Sequence, residues 1–486
     1  MSNAHFDLKA RARRAMLEAG FKPDFSPAVL QELQAIAASP AAKERPAARD
    51  LRGLPWSSID NDTSRDLDQI EYVERLGDGS TRLLVGIADV DARVAKGSAT
   101  DIHAGLESTS VYAGVATFPM LPEQLSTGVT SLLNAEERLA MVIELRVADT
   151  GEVVHHDAYP AWVRNEAKLA YSSTGAWLEG RAPTPPALAA APGMEAQIRL
   201  QQATAEKLLS FRKQHGALTF GSIEATPVVE DGQVKSLALR QHNVAEEIIE
   251  SFMVAANVGM AQYLKQKNVP CIRRVVRTPR RWERIGEIAL RFGVKLPEAP
   301  DSRALSEFLE QRRRADPEHF PDLSLSVVKL LGPGEYIVET PGAEREGHFG
   351  LAVTDYTHST APNRRYADLV TQRLLKASEQ GVPAPYLQSE LTAIAAHCTD
   401  REDAARKVER LMRKVLAACL LSSRVGEFFD GLVTGASAKG TYVRLLGFPA
   451  EGRVVRKAQG LDVGDKVRVR LVSVNVDAGF IDFEAC

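Results

Sequence analysis

The chain has 486 residues, of which 44% are hydrophobic and 25% charged, a balance that lets a large core form without staples. A net charge of −3 argues against a protein that coats nucleic acid with a global basic field, and leaves room for a local basic channel. The four cysteines (Cys271, Cys398, Cys419 and Cys486) form no CxxC pair, no apolar run of about eighteen residues could span a membrane, and Met1-Ser2-Asn3-Ala4 does not open a signal peptide, so a cytoplasmic protein is expected.

Residues 6 to about 50 read as two or three helices. Leu8, Ala12, Met16 and Ala19 recur at helical spacing, and Leu30, Leu33, Ile36 and Ala37 do so again after Ser26-Pro27. Such an arm suits a helix-turn-helix RNA contact or a packing lid. Leu83 to Ala88 is a short apolar run of the kind that forms a buried strand. Strands and long helices then alternate to about residue 425, with helices expected from Met194, over Val244–Lys265, and over 363–379 and 400–424. The stretch Ala182 to Gly193, rich in proline and alanine, reads as a surface loop. Beyond it, short strands at 431–433, 441–445, 452–455, 466–471 and 480–483, separated by glycine turns, suggest a small closed barrel of the OB type. The expected class is α+β, with a helical region at 1–53, a large mixed domain at 54–425 and the barrel at 426–486.

Four aspartates, Asp60, Asp62, Asp66 and Asp68, fall within nine residues beside an apolar strand. Carboxylates crowded in this way repel one another and lose hydration unless a cation neutralises them. Hard oxygen ligands of this kind suit magnesium. On an extended segment Asp66 and Asp68 point to the same side. A solvated acidic loop remains open as an alternative. A calcium loop does not fit, because the glycine and glutamate that its turn requires are missing.

The segment Ile59-Asp60 to Asp66-Leu67-Asp68-Gln69 resembles the catalytic signature of the RNase II/RNase R family, Ile-Asp, five residues, then Asp-x-Asp-Asp. Asp60, Asp66 and Asp68 fall on its first three acidic positions, and Gln69 stands at the fourth, where it can offer an oxygen but no charge. Tyr356 to Leu369, Phe118 to Pro122 and Ile249 to Asn257 are similar to further family motifs, with departures at Ser359, Ala361 and Asn363. The resemblance implies an RNB catalytic domain and a hydrolytic, magnesium-dependent 3′→5′ exoribonuclease, with manganese as an alternative ion, that acts on single-stranded RNA as a monomer without an obligatory protein partner. It also implies a shortened form, since about fifty helical residues stand where family members carry two cold-shock domains.

Residue by residue, the resemblance implies that Asp60, Asp66 and Asp68 hold metal and activate water, with Gln69 beside them. It implies that Arg364 is catalytic, with Arg365 its neighbour, and that Tyr112, seven residues before Pro119, positions the RNA end. Phe220 would stack the terminal bases, Tyr171 and Glu250 would distinguish RNA from DNA, and Glu409 would lie near the substrate end. Read without the family, Arg364 is equally an i,i+4 partner of Asp368, Glu409 one of Arg413, and Tyr112 or Phe220 ordinary core aromatics. In the barrel, Tyr442, Arg444, Arg453, Lys466, Arg468 and Arg470 make an aromatic and basic set suited to a single strand. Gln69 also keeps open a second reading, an RNA-binding pseudoenzyme.

Overall fold

Capping side chains set the helix starts. Asp7 accepts the Ala10 N–H at the head of α1 (Leu8–Glu18), whose buried Ala12, Ala15 and Met16 repeat at the expected spacing. α2 (Pro27–Ala38) follows, so the two helices read from the sequence are both present. A third would fall on residues 39–47, outside the described residues. The computed structural model describes 6–38, 48–221, 224–230, 233–240, 242–317, 319–339, 346–437 and 440–486.

A six-stranded sheet forms the centre. Its members in chain order are β1 (Arg49–Asp50), β2 (Trp56–Asp60), β3 (Gln69–Arg75) and β4 (Thr81–Ala88), then, after α3 (Ala99–Glu107) and the hairpin of β5 (Val111–Tyr112) and β6 (Thr117–Phe118), β7 (Glu137–Val147) and β8 (Val153–Ala170). The order across the sheet is β1-β8-β2-β3-β4-β7, and β8 also pairs with β7. One long strand manages both pairings by dividing its length. Its first part runs antiparallel to β7 as far as Arg164, and its last part runs parallel to β2, with Asp60 beside Ala170. The sheet thus curls back on itself, and it carries the completely buried Trp56, Ile59, Ile70, Leu84 and Val142. It begins at Arg49, five residues before the start expected from texture alone.

Helices cover this sheet: α4 (Tyr171–Leu178), α5 (Pro186–Ala189), α6 (Met194–Gln214) and, after the hairpin of β9 (Glu224–Glu230) and β10 (Gln233–Arg240), α7 (Val244–Gln266). α5 lies inside the stretch expected to be a plain loop, because Pro186 at its first turn needs no N–H partner. α7 starts on a capping box between Asn243 and Glu246, and its inward face is buried almost continuously. β11 (Cys271–Val275) pairs with β12 (Glu335–Glu339) around three helices, α8 (Trp282–Arg291), α9 (Ser302–Ala315) and α10 (Phe320–Leu331), which share a small core of their own. α11 (Tyr366–Glu379) and the 34-residue α12 (Gln388–Leu421) complete the body. The sequence stretch 363–379 begins as a turn and becomes helical only at Tyr366, and of the stretch 400–424 residues 400–421 belong to the longer α12 while Ser422–Arg424 form a short 3-10 turn.

β13 (Phe428–Ser437), β14 (Gly440–Leu445), β15 (Glu451–Arg456), β16 (Lys466–Asn475) and β17 (Phe480–Ala485) close a barrel in the order β13-β14-β15-β17-β16, so both the expected class and the five-stranded barrel are observed. α1 packs on α12, and Arg11 donates from Nε to the backbone oxygen of Asp477 in the β16–β17 turn at 2.8 Å, tying the helical arm to the barrel. Among the described residues no helix is long and apolar enough to cross a membrane. In the barrel wall a methyl group at Gly452 would collide with the Ile481 carbonyl and the Phe483 ring. Gly452→Ala should therefore destabilise the barrel by about 1–3 kcal/mol, read as an earlier loss of its amide-exchange protection while the central sheet is unaffected.

Candidate active site

The local fold brings the acidic segment to one edge of the sheet. Asp60 ends β2 and Gln69 begins β3, so residues 61–68 form the connection between two neighbouring strands. Leu67 clamps this connection. Its side chain is buried, its N–H donates to Ser131 Oγ at 3.0 Å, and its carbonyl accepts the Leu132 N–H at 3.0 Å. With Leu67 fixed inward, Asp66 and Asp68 on either side turn towards the same space. That space is a cavity of about 1130 Å³, lined by Asp60, Asp66, Asp68, Gln69, Tyr112, Tyr171, Phe220, Glu250, Arg364, Arg365 and Glu409. The eleven residues to which the family resemblance gives a role in the site therefore meet in one place, although they come from segments more than 300 positions apart. Asp62 is not in the cavity wall, and its carboxylate accepts from Ser172 Oγ at 2.8 Å.

Asp68 is the most constrained of the acids. It is 2% exposed, and Oδ1 accepts the Asn363 N–H at 3.0 Å. Its Oδ2 is buried with no hydrogen-bond partner, 3.4 Å from Arg364 Nε. Burial pushes the carboxyl up to about 7, with Asp66 and Asp368 adding to the rise while Arg364 and the Asn363 N–H oppose it. Asp66 is raised as well, first by burial and then by the charge of Asp60. Asp60 accepts from the Asn61 N–H and from Ser64 Oγ at 2.7 and 2.8 Å. A buried oxygen without a donor, in an all-oxygen set, fits a hard divalent cation. Among the described residues, however, no three such side chains stand preassembled as a cage. Substrate phosphate or water would have to complete the coordination.

The arginines divide their tasks in a way the sequence did not indicate. Arg365, not Arg364, pairs with Asp368: Nε and Nη2 reach the two carboxylate oxygens at 2.8 and 2.7 Å. Asp368 is completely buried and also accepts the N–H groups of Thr360 and Ala361. This bidentate pair locks the turn ahead of α11 and leaves Arg364 facing the cavity, half-exposed to it, beside Asp68. Behind them, the neutral His358 bonds through Nδ1 to Tyr336 OH at 2.8 Å, and burial among Arg365, Arg274 and His348 holds its basicity well down.

Tyr112 projects a half-exposed ring into the cavity, so it is not a core aromatic. Burial of its hydroxyl, reinforced by Asp66, Asp68 and Asp60, pushes the phenol up to about 12. Its backbone N–H donates to Glu409 Oε1 at 3.1 Å, which gives Glu409 a partner other than its helix neighbour. Glu250, on α7, faces His242 at 3.7 Å, and Tyr171 opens α4 next to Asp60. Phe220 rests on the small core of α8–α10. Sequence reasoning did not single out Leu325 and Val328, exposed on α10 in the cavity wall, or the buried Asn257, whose Oδ1 accepts from the Ser359 N–H at 2.8 Å. Asn257 lies in one of the motifs, but nothing in one sequence separates it from its apolar neighbours. In the barrel, Arg444 pairs with Asp322 of α10 at 2.8 Å, Arg470 pairs with Glu484, and Arg468 stacks on Phe428, so three of the six residues expected to face RNA already hold protein partners.

Because burial penalises the charged form, the folded protein holds the Asp68 proton more tightly than the unfolded chain does. The stability contributed by this group is full below about pH 4, where the unfolded carboxyl titrates, and is lost as pH rises through about 7. Asp68→Asn cannot ionise. In metal-free protein it should therefore exceed the parent in stability by a few kcal/mol at about pH 8, with the advantage fading towards about pH 4. Urea melts at both pH values check this, and a difference independent of pH would contradict it.

Residues 48–381 match the RNB domain model, and residues 427–486 match the model of the RNase II-type exonuclease C-terminal S1 domain. Among curated proteins the chain is 28% identical to ribonuclease R 2 of Lactococcus lactis, covering 95% of this chain and 73% of that protein. It is 29% identical to ribonuclease R of Escherichia coli, covering 89% of this chain and 57% of the relative. The fold superposes on Mycoplasma genitalium RNase R in complex with ribose methylated single-stranded RNA with a TM-score of 0.90 at 22% identity, over 99% of this chain and 78% of that one. It also matches yeast Ssd1, a pseudonuclease, with a TM-score of 0.69 at 14% identity, over 92% of this chain and 56% of the other. Most of the cavity wall lies within the segment that the RNB model covers, and with more than half its length matched, the chain belongs to the RNB-domain family.

Proposed function

We propose that the protein is a hydrolytic 3′→5′ exoribonuclease that degrades single-stranded RNA to 5′-nucleoside monophosphates, with magnesium as its cofactor and manganese as an alternative. The observation that carries this reading is the convergence of three aspartates, a cavity-facing arginine and the aromatic rings of Tyr112, Tyr171 and Phe220 in one cavity of an RNB domain. The ribonuclease R relatives support it, one of them solved with single-stranded RNA. On this reading the chain works as a cytoplasmic monomer whose partner is RNA.

Asp60, Asp66 and Asp68 would hold the ions, with the Gln69 carbonyl adding a neutral oxygen. Bound there, the cations would neutralise the terminal phosphodiester and ease deprotonation of the attacking water. Arg364 presents a rigid, permanently charged fork to the phosphate oxygens, where negative charge builds as the bond breaks. The Arg365–Asp368 pair keeps that fork in place, and Arg365 reaches the same cavity from behind. Tyr112 keeps its proton at any working pH and donates it as a hydrogen bond to the phosphate. Glu409 fixes the backbone from which Tyr112 projects. Phe220, flanked by Leu325 and Val328, gives the terminal bases a stacking face that ignores their identity. Tyr171 and Glu250 stand where a ribose 2′-hydroxyl can be recognised, the carboxylate acting as its acceptor.

The test is a 5′-labelled single-stranded RNA followed on a gel. A ladder shortening from the 3′ end under magnesium, with release of nucleoside monophosphates, is expected. Asp68→Asn should slow it by about a thousandfold or more while RNA affinity stays within a few-fold, because the aromatic and basic wall is untouched. Endonucleolytic fragments, or an affinity loss as large as the rate loss, would overturn the reading. Gln69 favours one alternative, an RNA-binding pseudoenzyme, and undetectable turnover of the parent at saturating magnesium would establish it. For Glu250→Ala the expected outcome is weaker discrimination against DNA by about tenfold, measured as the ratio of kcat/KM on matched RNA and DNA strands. An unchanged ratio would remove Glu250 from that role.

A further inference from the structure

The cavity wall holds an ion pair that no step above uses. Arg444 on β14 is, among the described residues, the one member of the barrel that reaches this wall. Its guanidinium does not pair with the acid beside it in the barrel. That acid, Glu451, stands across from it on β15, and its Oε1 accepts from Thr434 Oγ1 at 2.6 Å. Arg444 turns to the catalytic body and donates from Nη2 to Asp322 Oδ2 at 2.8 Å. Asp322 lies in the first turn of α10 and lines the same cavity.

The plain reading of this pair is a clamp between barrel and body, and two features count against a settled clamp. Only part of the fork is used. Arg444 Nε is buried with no hydrogen-bond partner, whereas Arg365 meets Asp368 with both Nε and Nη2. An unsatisfied buried donor is costly, so this pose leaves the guanidinium a better partner to find. The two side chains are also 27% and 21% exposed, so water and a competing anion can reach the pair. The ligand expected in the cavity is a polyanion. A phosphodiester offers two oxygens to Nε and Nη2 together, the geometry that a guanidinium fork matches. Arg413 of α12, exposed in the same wall, adds positive charge there.

We infer that Asp322 is an internal stand-in for an RNA phosphate on Arg444. It holds the guanidinium while no strand is bound, and gives it up to a backbone phosphodiester when RNA lies in the cavity. The acid thereby sets how strongly the barrel takes hold of a strand. Arg444 is a binding residue on this account, and Asp322 is a positioning residue that acts through it. This rests on the RNA-degrading reading above.

The experiment measures binding of a fluorescent single-stranded RNA to the full-length protein in excess chelator, so that the strand stays whole. Asp322→Asn should tighten binding by about two- to fivefold, the worth of one partly exposed charge pair. The gain should vanish when one particular linkage of the RNA is made a neutral methylphosphonate, and persist when the neutral linkage lies elsewhere. That same neutral linkage should weaken binding by the parent and cost Arg444→Gln nothing. Parent-like or weaker binding by Asp322→Asn overturns the inference, because the pair is then a clamp. A gain that no single linkage abolishes also overturns it, since it means only that an acid has left the wall. Should Asp322→Asn not fold, the Arg444→Gln comparison decides, and a methylphosphonate cost equal to the parent's at every linkage overturns the inference. If the parent itself binds no RNA, the exoribonuclease reading falls and takes this inference with it, whereas the other failures leave that reading intact.

Discussion

Like charges crowded along the wall of one cavity govern this molecule. Asp60, Asp66 and Asp68 are brought to one edge of a curled sheet, and the most deeply buried of them keeps an oxygen with no donor beside a single guanidinium. Such an arrangement is unfavourable by itself, and the surrounding structure holds it in place. The clamp on Leu67, the Asn363 N–H on Asp68 and the pairing of β2 with β8 fix the segment that carries these carboxylates. On the proposed reading a cation would relieve this repulsion, so that the fold as much as the ligand chemistry would set the site's affinity for metal.

The second organising feature is the division between an arginine that pairs within its own turn and an arginine that faces the cavity. Bidentate pairing with a buried aspartate engages Nε and Nη2 of Arg365 and anchors the turn before α11. Arg364, one residue earlier on the same turn, cannot reach that aspartate and so remains available to the cavity. Neutral His358 and Tyr336, packed edge to face behind the turn, add bulk without adding charge, and the field in the cavity is left to the arginines and aspartates.

The outlying parts hold the cavity's shape. α10 contributes Leu325 and Val328 to the wall and carries Asp322, which receives Arg444 from the barrel. α1 binds α12 on one side and the β16–β17 turn on the other. Helical arm, catalytic body and barrel are therefore connected by specific polar contacts as well as by apolar packing, and the barrel's basic residues divide between protein partners and open surface.

Much of the site could be read in the chain. Four aspartates in nine residues beside a strand suit a hard cation by residue type and spacing, whereas the Arg-Arg pair following a proline turn takes its expected role only from the family motif it resembles. The barrel was equally visible, since glycine turns and alternating strands are local signals. Tertiary structure alone decided which arginine pairs with Asp368, since both lie within one helical turn of it and only the backbone path chooses. It alone placed Glu71 fully buried and without a donor, because an acid between hydrophobic neighbours reads as an exposed strand position until the helix packed over it is known. Burial, and therefore the energy of a charge, is set by what folds on top of a residue, and no local stretch of sequence contains that information.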